Sequence, residues 1–179
     1  MDKQCHNSTR RTNLYAPWRI EYINTLNAAG EGCFLCRARD ETDRDAENLL
    51  LWRTEHCIVM MNRFPYSAGH LLIAPAEHIG ELSDLNDGAM LEMMRLARDA
   101  QKLLSHSIRA EGLNIGINVG RCAGAGLPGH LHVHVVPRWS GDTNFMAVLD
   151  DVRVVSQALS ELYRQLREAS VELKLPHVK

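Results

Sequence analysis

At 179 residues the chain is one domain of ordinary size, long enough to bury a real core. A formal charge of -2 and a pI near 6.5, with no basic run, exclude a broad duplex-binding surface, and no nucleic-acid partner is expected. No window approaches a membrane span and Met1 to Thr12 is polar, so the expectation is a soluble, cytoplasmic protein with no membrane partner, its five cysteines reduced.

In chain order, residues 1–14 read as a flexible tail, 15–170 as the folded domain and 171–179 as a second tail, with Leu175 to Lys179 frayed. Cys33 and Cys36 form a Cys-x-x-Cys whose flanking Gly32 and Phe34 predict a tight turn of the zinc-knuckle kind; by itself it is half a metal site, a redox pair or chance. Leu49 to Trp52 and Cys57 to Met61 are short β-prone runs joined by Arg53 to His56, a predicted hairpin. Pro65 and Gly69 break the chain, and His70 to Ala74 reads as a third strand stopped by Pro75. After Ser83 or Asn86 as a cap, Met90, Met93, Met94, Ala97, Ala100, Leu104 and Ile108 recur at helical spacing, predicting one long helix that Gly112 ends and whose methionines fill the core. Leu113 to Val119 reads as a fourth strand, Gly120 to Gly129 as a loop, and Val154, Val155, Leu159, Leu162, Tyr163 and Leu166 as a closing amphipathic helix. The order predicts an α+β fold: an antiparallel sheet of about five strands with one long and one C-terminal helix.

The chemistry lies in Gly129-His130-Leu-His132-Val-His134-Val-Val-Pro137. An extended backbone places residues at every second position on one face, so the three imidazoles are expected to line up while Leu131, Val133 and Val135 enter the core. The preceding glycine loop can fold its backbone N–H groups into a cradle for phosphate oxygens. Neutral imidazole is a nucleophile toward phosphorus near pH 7 and its protonated form is an acid, so the favoured chemistry is phosphoryl or nucleotidyl transfer. The competing reading is a metal hydrolase in which all three histidines bind one ion, although no acidic residue lies near in sequence to act as base.

The triad string, followed by Pro137-Arg-Trp139, resembles the signature of the histidine triad family of nucleotide hydrolases and transferases. The likeness extends to Val59-Met-Met-Asn62-Arg-Phe-Pro-Tyr-Ser-Ala-Gly-His70-Leu-Leu-Ile-Ala-Pro75 and to Asn118-Val-Gly120. Tyr15-Ala-Pro-Trp18-Arg19-Ile-Glu-Tyr22-Ile and Ser140-Gly-Asp142-Thr-Asn144-Phe-Met146 are similar to the bacterial branch related to diadenosine tetraphosphate phosphorylases and fragile histidine triad hydrolases. The resemblance implies that His132 attacks the α-phosphorus of a dinucleoside polyphosphate or nucleotide conjugate. It would carry the nucleoside monophosphate covalently until water or phosphate releases it. It also implies that His134 contacts phosphate and assists the leaving group, that Asn62 and Asn118 touch ribose and phosphate, that His70 lies in the same pocket, and that a homodimer forms largely through the long helix and central strand.

By the same resemblance Cys33, Cys36, His78 and His130 match the ligands of a structural zinc in relatives, a closed Cys2His2 set tying an N-terminal arm to the catalytic strand. One departure stands out. Where many relatives carry Gln and then Ser or Thr in the phosphate loop, this chain has Gly126-Leu127, so backbone groups of Gly124, Ala125, Gly126 and Leu127 are expected to hold the phosphate. Two non-enzymatic alternatives are a nucleotide sensor or interaction protein that keeps the pocket, and a redox or metal-delivery protein built on Cys33 and Cys36.

Overall fold

A computed structural model of the chain describes residues 32–142 and 158–177. The segments around Tyr15, the stretch from Thr143 to Met146, and Val154 and Val155 lie outside the described residues. Within them the elements are α1 (Phe34–Asp40), α2 (Asp45–Asn48), β1 (Leu50–Arg53), β2 (Cys57–Met61), β3 (Leu71–Pro75), α3 (Asp87–Ser107), β4 (Gly112–Ile117), β5 (Val133–Arg138) and α4 (Leu159–Glu172). The strands form one antiparallel sheet in the order β1-β2-β3-β5-β4, the α+β arrangement expected.

Strand alternation sorts the two faces. Cys57, Val59 and Met61 of β2, Leu71 and Ile73 of β3, and Val133 and Val135 of β5 meet α3 and α4 in the main core. The alternate residues Ile58, Met60, Leu72 and Ala74 point to the opposite face, where Leu35 and Ala38 of α1 cover part of them. His134 stands on that second face, paired across the sheet with Leu72 on one side and Gly116 on the other.

Asn86 is the cap of α3, its side chain accepting the Ala89 N–H at 2.8 Å. That helix stops at Ser107, and Arg109 takes a left-handed φ of 53°; Gly112 is not its terminator but the first residue of β4. The methionine expectation holds for Met93 alone. The buried stripe runs through Ala89, Met93, Leu96, Ala97, Ala100, Leu103 and Leu104, and Met90 (42% exposed) and Met94 (59%) fall one helical step to its side. Of the segment expected to fray, Leu175 to His177 is packed and the last two residues lie outside the described ones: Leu175 is buried, and the His177 imidazole lies 3.1 Å from the carboxylate of Asp99, a residue buried in the middle of α3. Tyr163 donates to the Leu50 carbonyl and Arg167 to that of Leu51, fastening α4 to β1.

Candidate functional site

The strand bearing the histidines begins at Val133, three residues later than the alternation predicts, and only His134 projects from paired strand. His130 and His132 lie on the irregular approach. The expected row of three therefore divides into two environments with His132 between them.

At the far end, His130 meets the two cysteines and His78. Cys33 caps α1 and Cys36 lies in its first turn, its N–H 3.5 Å from the Cys33 sulfur, so the expected knuckle turn is instead a helix start. The His130 Nδ1 lies 3.1 Å from Cys33 Sγ and 3.5 Å from Cys36 Sγ, and the His78 Nδ1 lies 3.3 Å from Cys36 Sγ. One donor atom from each of the four residues fits within 4.8 Å of the others. A tetrahedron with zinc–sulfur and zinc–nitrogen bonds of ordinary length has mixed edges of about 3.5 Å, so the set matches that ion's size and donor preference. The His130 Nε2–H donates to the Pro75 carbonyl at 2.9 Å, which leaves Nδ1 as the lone-pair nitrogen facing the sulfurs.

Burial pushes the His130 pKa down to about 4, keeping the ring neutral, and pushes the Cys33 thiol up to about 11. A bare thiol there keeps its proton; binding a cation is what makes it a thiolate. Among the described residues no carboxylate joins the group, and four protein donors complete a tetrahedron, so the centre suits a structural ion.

At the near end, His134 belongs to a chain of nitrogen contacts. The Tyr66 N–H donates to His70 Nδ1 at 3.2 Å, which places the His70 proton on Nε2. That Nε2 lies 3.0 Å from His134 Nδ1, which accepts there, and His134 Nε2 lies 3.4 Å from the amide nitrogen of Asn118. Both ends of the Asn62 side chain are engaged locally: its oxygen accepts the Phe64 N–H at 2.9 Å and its nitrogen lies 3.2 Å from His70 Nδ1. Tyr66, which the sequence did not single out, stacks on His70 with centroids 4.8 Å apart. Its position in the Pro65-to-Gly69 turn immediately before His70 was the available signal.

His132 stands between the two groups, 5% exposed, its ring edge-on to His134 at 4.9 Å. Its Nδ1–H donates to the His130 carbonyl at 2.8 Å, which leaves Nε2 with a free lone pair. Desolvation lowers its pKa, so the ring is neutral at pH 7.

The glycine loop differs from its expectation. A short turn over Arg121–Ala123 uses the amides of Gly124 and Ala125 internally, bonded to the Arg121 carbonyl at 3.0 Å and the Gly120 carbonyl at 3.3 Å. Of the four loop residues expected at the phosphate, only Gly126 and Leu127 keep amides without a backbone bond among the described residues. The Leu127 side chain packs with Cys33 and Phe34 against the α1 side of the sheet. Trp139 turns its indole N–H to the Ile108 carbonyl at 3.2 Å, a tie between β5 and the end of α3.

The HIT domain family model matches residues 43–141, which contain β1 to β5, the loop and all three histidines. The chain is 38% identical over 122 residues to a Mycobacterium tuberculosis protein named AP-4-A phosphorylase, a match covering 68% of this chain and 63% of that one, so it spans less than two thirds of that relative's length. It is 31% identical over 93 residues to the Schizosaccharomyces pombe bis(5'-nucleosyl)-tetraphosphatase (asymmetrical), covering 52% of this chain and 50% of the relative. Among solved structures, a zinc-bound histidine triad family protein from Mycobacterium smegmatis superposes with a TM-score of 0.64 at 25% identity, covering 80% of this chain and 96% of that one. With a family model spanning more than half its length, the chain belongs to the histidine triad (HIT) domain family.

Proposed function

We propose that this protein transfers a nucleoside monophosphate from a dinucleoside polyphosphate, such as diadenosine tetraphosphate, or from a related nucleotide conjugate, through a covalent intermediate on His132. The observation that carries the reading is the 2.8 Å bond from His132 Nδ1–H to the His130 carbonyl, which commits Nε2 to nucleophilic attack. Nε2 bonds to the α-phosphorus as the bond from phosphorus to the bridging oxygen breaks. The departing oxygen takes a proton from His134 in its imidazolium form, beside His70 and Asn118, and the neutral ring left behind takes a proton back from the attacking water or orthophosphate. Water or orthophosphate then attacks the same phosphorus and the nitrogen–phosphorus bond breaks, returning His132 to its starting state. Asn62, His70 and Asn118 border the reacting groups, and the amides of Gly126 and Leu127, with the Gly124 and Ala125 turn behind them, are the loop's donors to phosphate. The names of the M. tuberculosis and S. pombe relatives support this substrate class.

Cys33, Cys36, His78 and His130 would hold a zinc ion, whose chemistry there is structural cross-linking of the N-terminal arm to the catalytic strand. A second copy of the chain would cover Met90, Leu91 and Met94 on α3 and Ile115 and Ile117 on the edge strand β4, all exposed in the single chain. No helix among the described residues is long and apolar enough to cross a membrane, and free thiols suit a reducing, cytoplasmic setting.

Incubation with diadenosine tetraphosphate, with and without orthophosphate, tests the reaction. Release of ADP that requires phosphate identifies a phosphorylase, and release of AMP without it a hydrolase. Rapid quenching should trap an acid-labile, base-stable adenylyl protein that is absent from His132→Ala. Tight binding with no product under either condition would reject catalysis in favour of a sensor.

A further inference from the structure

We propose that Gly116 of β4 is a specificity-determining position: the space it leaves beside His134 is the exit over which the departing polyphosphate chain runs, and it fits the site to long leaving groups. The proposal rests on the nucleotidyl-transfer reading and extends it to the half of the substrate that departs.

A glycine in the middle of a strand needs a reason, because it weakens the strand and offers no side chain to pack. Three ordinary reasons fail here. The pairing of β4 with β5 runs without a register shift from Gly112↔Arg138 to Ile117↔Val133, so Gly116 marks no bulge. Its φ is not among the positive ones, so its backbone conformation is open to any residue. A Cβ built on it meets nothing within 4 Å among the described residues, so no neighbouring segment of the chain claims the space. What remains is the close approach of something the folded chain does not itself supply.

The position of the space selects the ligand. Gly116 pairs with His134, so the two share one face of the sheet, and Asn118, two residues along β4 on that face, lies 3.4 Å from the His134 ring. The opposite flank of His134 is closed. Its partner there, Leu72, is 3% exposed in the cluster that Leu35 and Ala38 of α1 cover, and the His70 ring stands with Nε2 3.0 Å from His134 Nδ1. Gly116, by contrast, is exposed. Transfer at phosphorus keeps the attacking and departing atoms roughly in line. With His132 Nε2 attacking and His134 at the departing oxygen, the atoms beyond that oxygen are carried away from His132, and the open ground they meet is the bare backbone at Gly116. A branched side chain there would stand in their way.

The test pairs two substrates that form the same adenylyl-His132 and differ in what leaves: diadenosine tetraphosphate, which loses a nucleoside polyphosphate, and adenosine 5'-phosphorofluoridate, which loses a single fluoride. Gly116→Val should lower kcat/KM for the first on the order of tenfold or more, as a poorly seated reacting centre does, and leave that for the second nearly unchanged. Gly116→Ala should fall between the parent and the valine variant. Calorimetry repeats the comparison without turnover: a diadenosine tetraphosphate with methylene groups in place of its bridging oxygens should bind Gly116→Val more weakly than the parent, whereas AMP should bind both alike. The urea midpoint should rise in Gly116→Val, because valine is the better strand former.

An unchanged ratio of the two kcat/KM values, with unchanged binding of the methylene analogue, overturns the proposal. So does a lowered urea midpoint, which would show that the fold itself needs the space. A changed sedimentation coefficient with both substrates affected alike also overturns it, and gives the space to a second copy of the chain. If neither substrate turns over, the transfer reading fails, and the calorimetric comparison still decides whether Gly116 admits the longer ligand.

Discussion

The two ends of the histidine run are built from the same residue type four positions apart, yet they are different instruments. His130 sits with two thiols and a second imidazole, its Nε2 committed to a backbone carbonyl, and is a proposed ligand. His134 sits with His70 and Asn118, its Nδ1 accepting from another ring, and is the proposed proton carrier. What separates a structural histidine from a reactive one is which nitrogen the neighbours occupy and whether those neighbours are sulfur or nitrogen. His132 touches both ends, its Nδ1–H bonded to the His130 carbonyl and its ring edge-on to His134.

The largest expected effect lies at the centre of the run. His132→Ala should lower turnover by on the order of 10^4-fold or more, since the nucleophile acts as a unit with its partners, measured by product release on anion-exchange chromatography; retained activity would dissolve the contrast between the ends. His134→Ala should cost about 100-fold in kcat, the ordinary contribution of a general acid. A substrate with a better leaving group should recover much of that loss, because it needs no proton.

The two ends should also part in their response to acid. In metal-free protein His130 is held neutral by burial, with its pKa moved from 6.5 to about 4, and His132 is shifted the same way. The unfolded chain therefore takes up protons that the folded one refuses. Stability is undiminished above about pH 6.5 and falls progressively toward pH 4, by about 3 kcal/mol for His130. Urea midpoints at pH 7 and pH 5 in the presence of chelator measure it, and zinc should flatten the difference over the range in which it stays bound.

A smaller pair of effects contrasts the two flanks of α3. Leu96→Ala, in the buried stripe, should cost about 2–5 kcal/mol, whereas Met94→Lys, on the exposed flank, should change the unfolding free energy by less than about 0.5 kcal/mol. The second substitution should nonetheless convert the proposed dimer to a monomer in sedimentation. A dimer that survives it would place the interface elsewhere.

Much of this was legible without coordinates. A short β-prone run marked β2, period-two alternation marked β5 and the helical period marked α3, because each is set by residues a few positions apart. The limits of that logic show at three places. Gly112 looked like a helix stop but opens β4, since the left-handed turn falls at Arg109, a residue with no glycine to announce it. The methionines looked equivalent, but a stripe centred on Ala97 and Leu104 leaves Met90 and Met94 to one side. The glycine loop looked like an open cradle, yet the amides of Gly124 and Ala125 close a turn of their own. His177 seemed to lie in a loose tail, and only packing showed its bond to Asp99, a carboxylate that burial alone would push up and that Arg98, His177 and Lys102 hold low.

By itself the sequence determined the chemical inventory of this protein: three imidazoles within five residues, a Cys-x-x-Cys, a glycine loop, and strands whose alternation gives each a core face. Tertiary structure decided which of these groups meet. Cys33 reaches His130 across 97 positions and His70 reaches His134 across 64, so the atoms that select a tautomer, neutralise a ring or complete a ligand set come from remote segments. Backbone periodicity is local, whereas proton placement and ligation depend on whichever atoms the packed fold brings within about 3 Å.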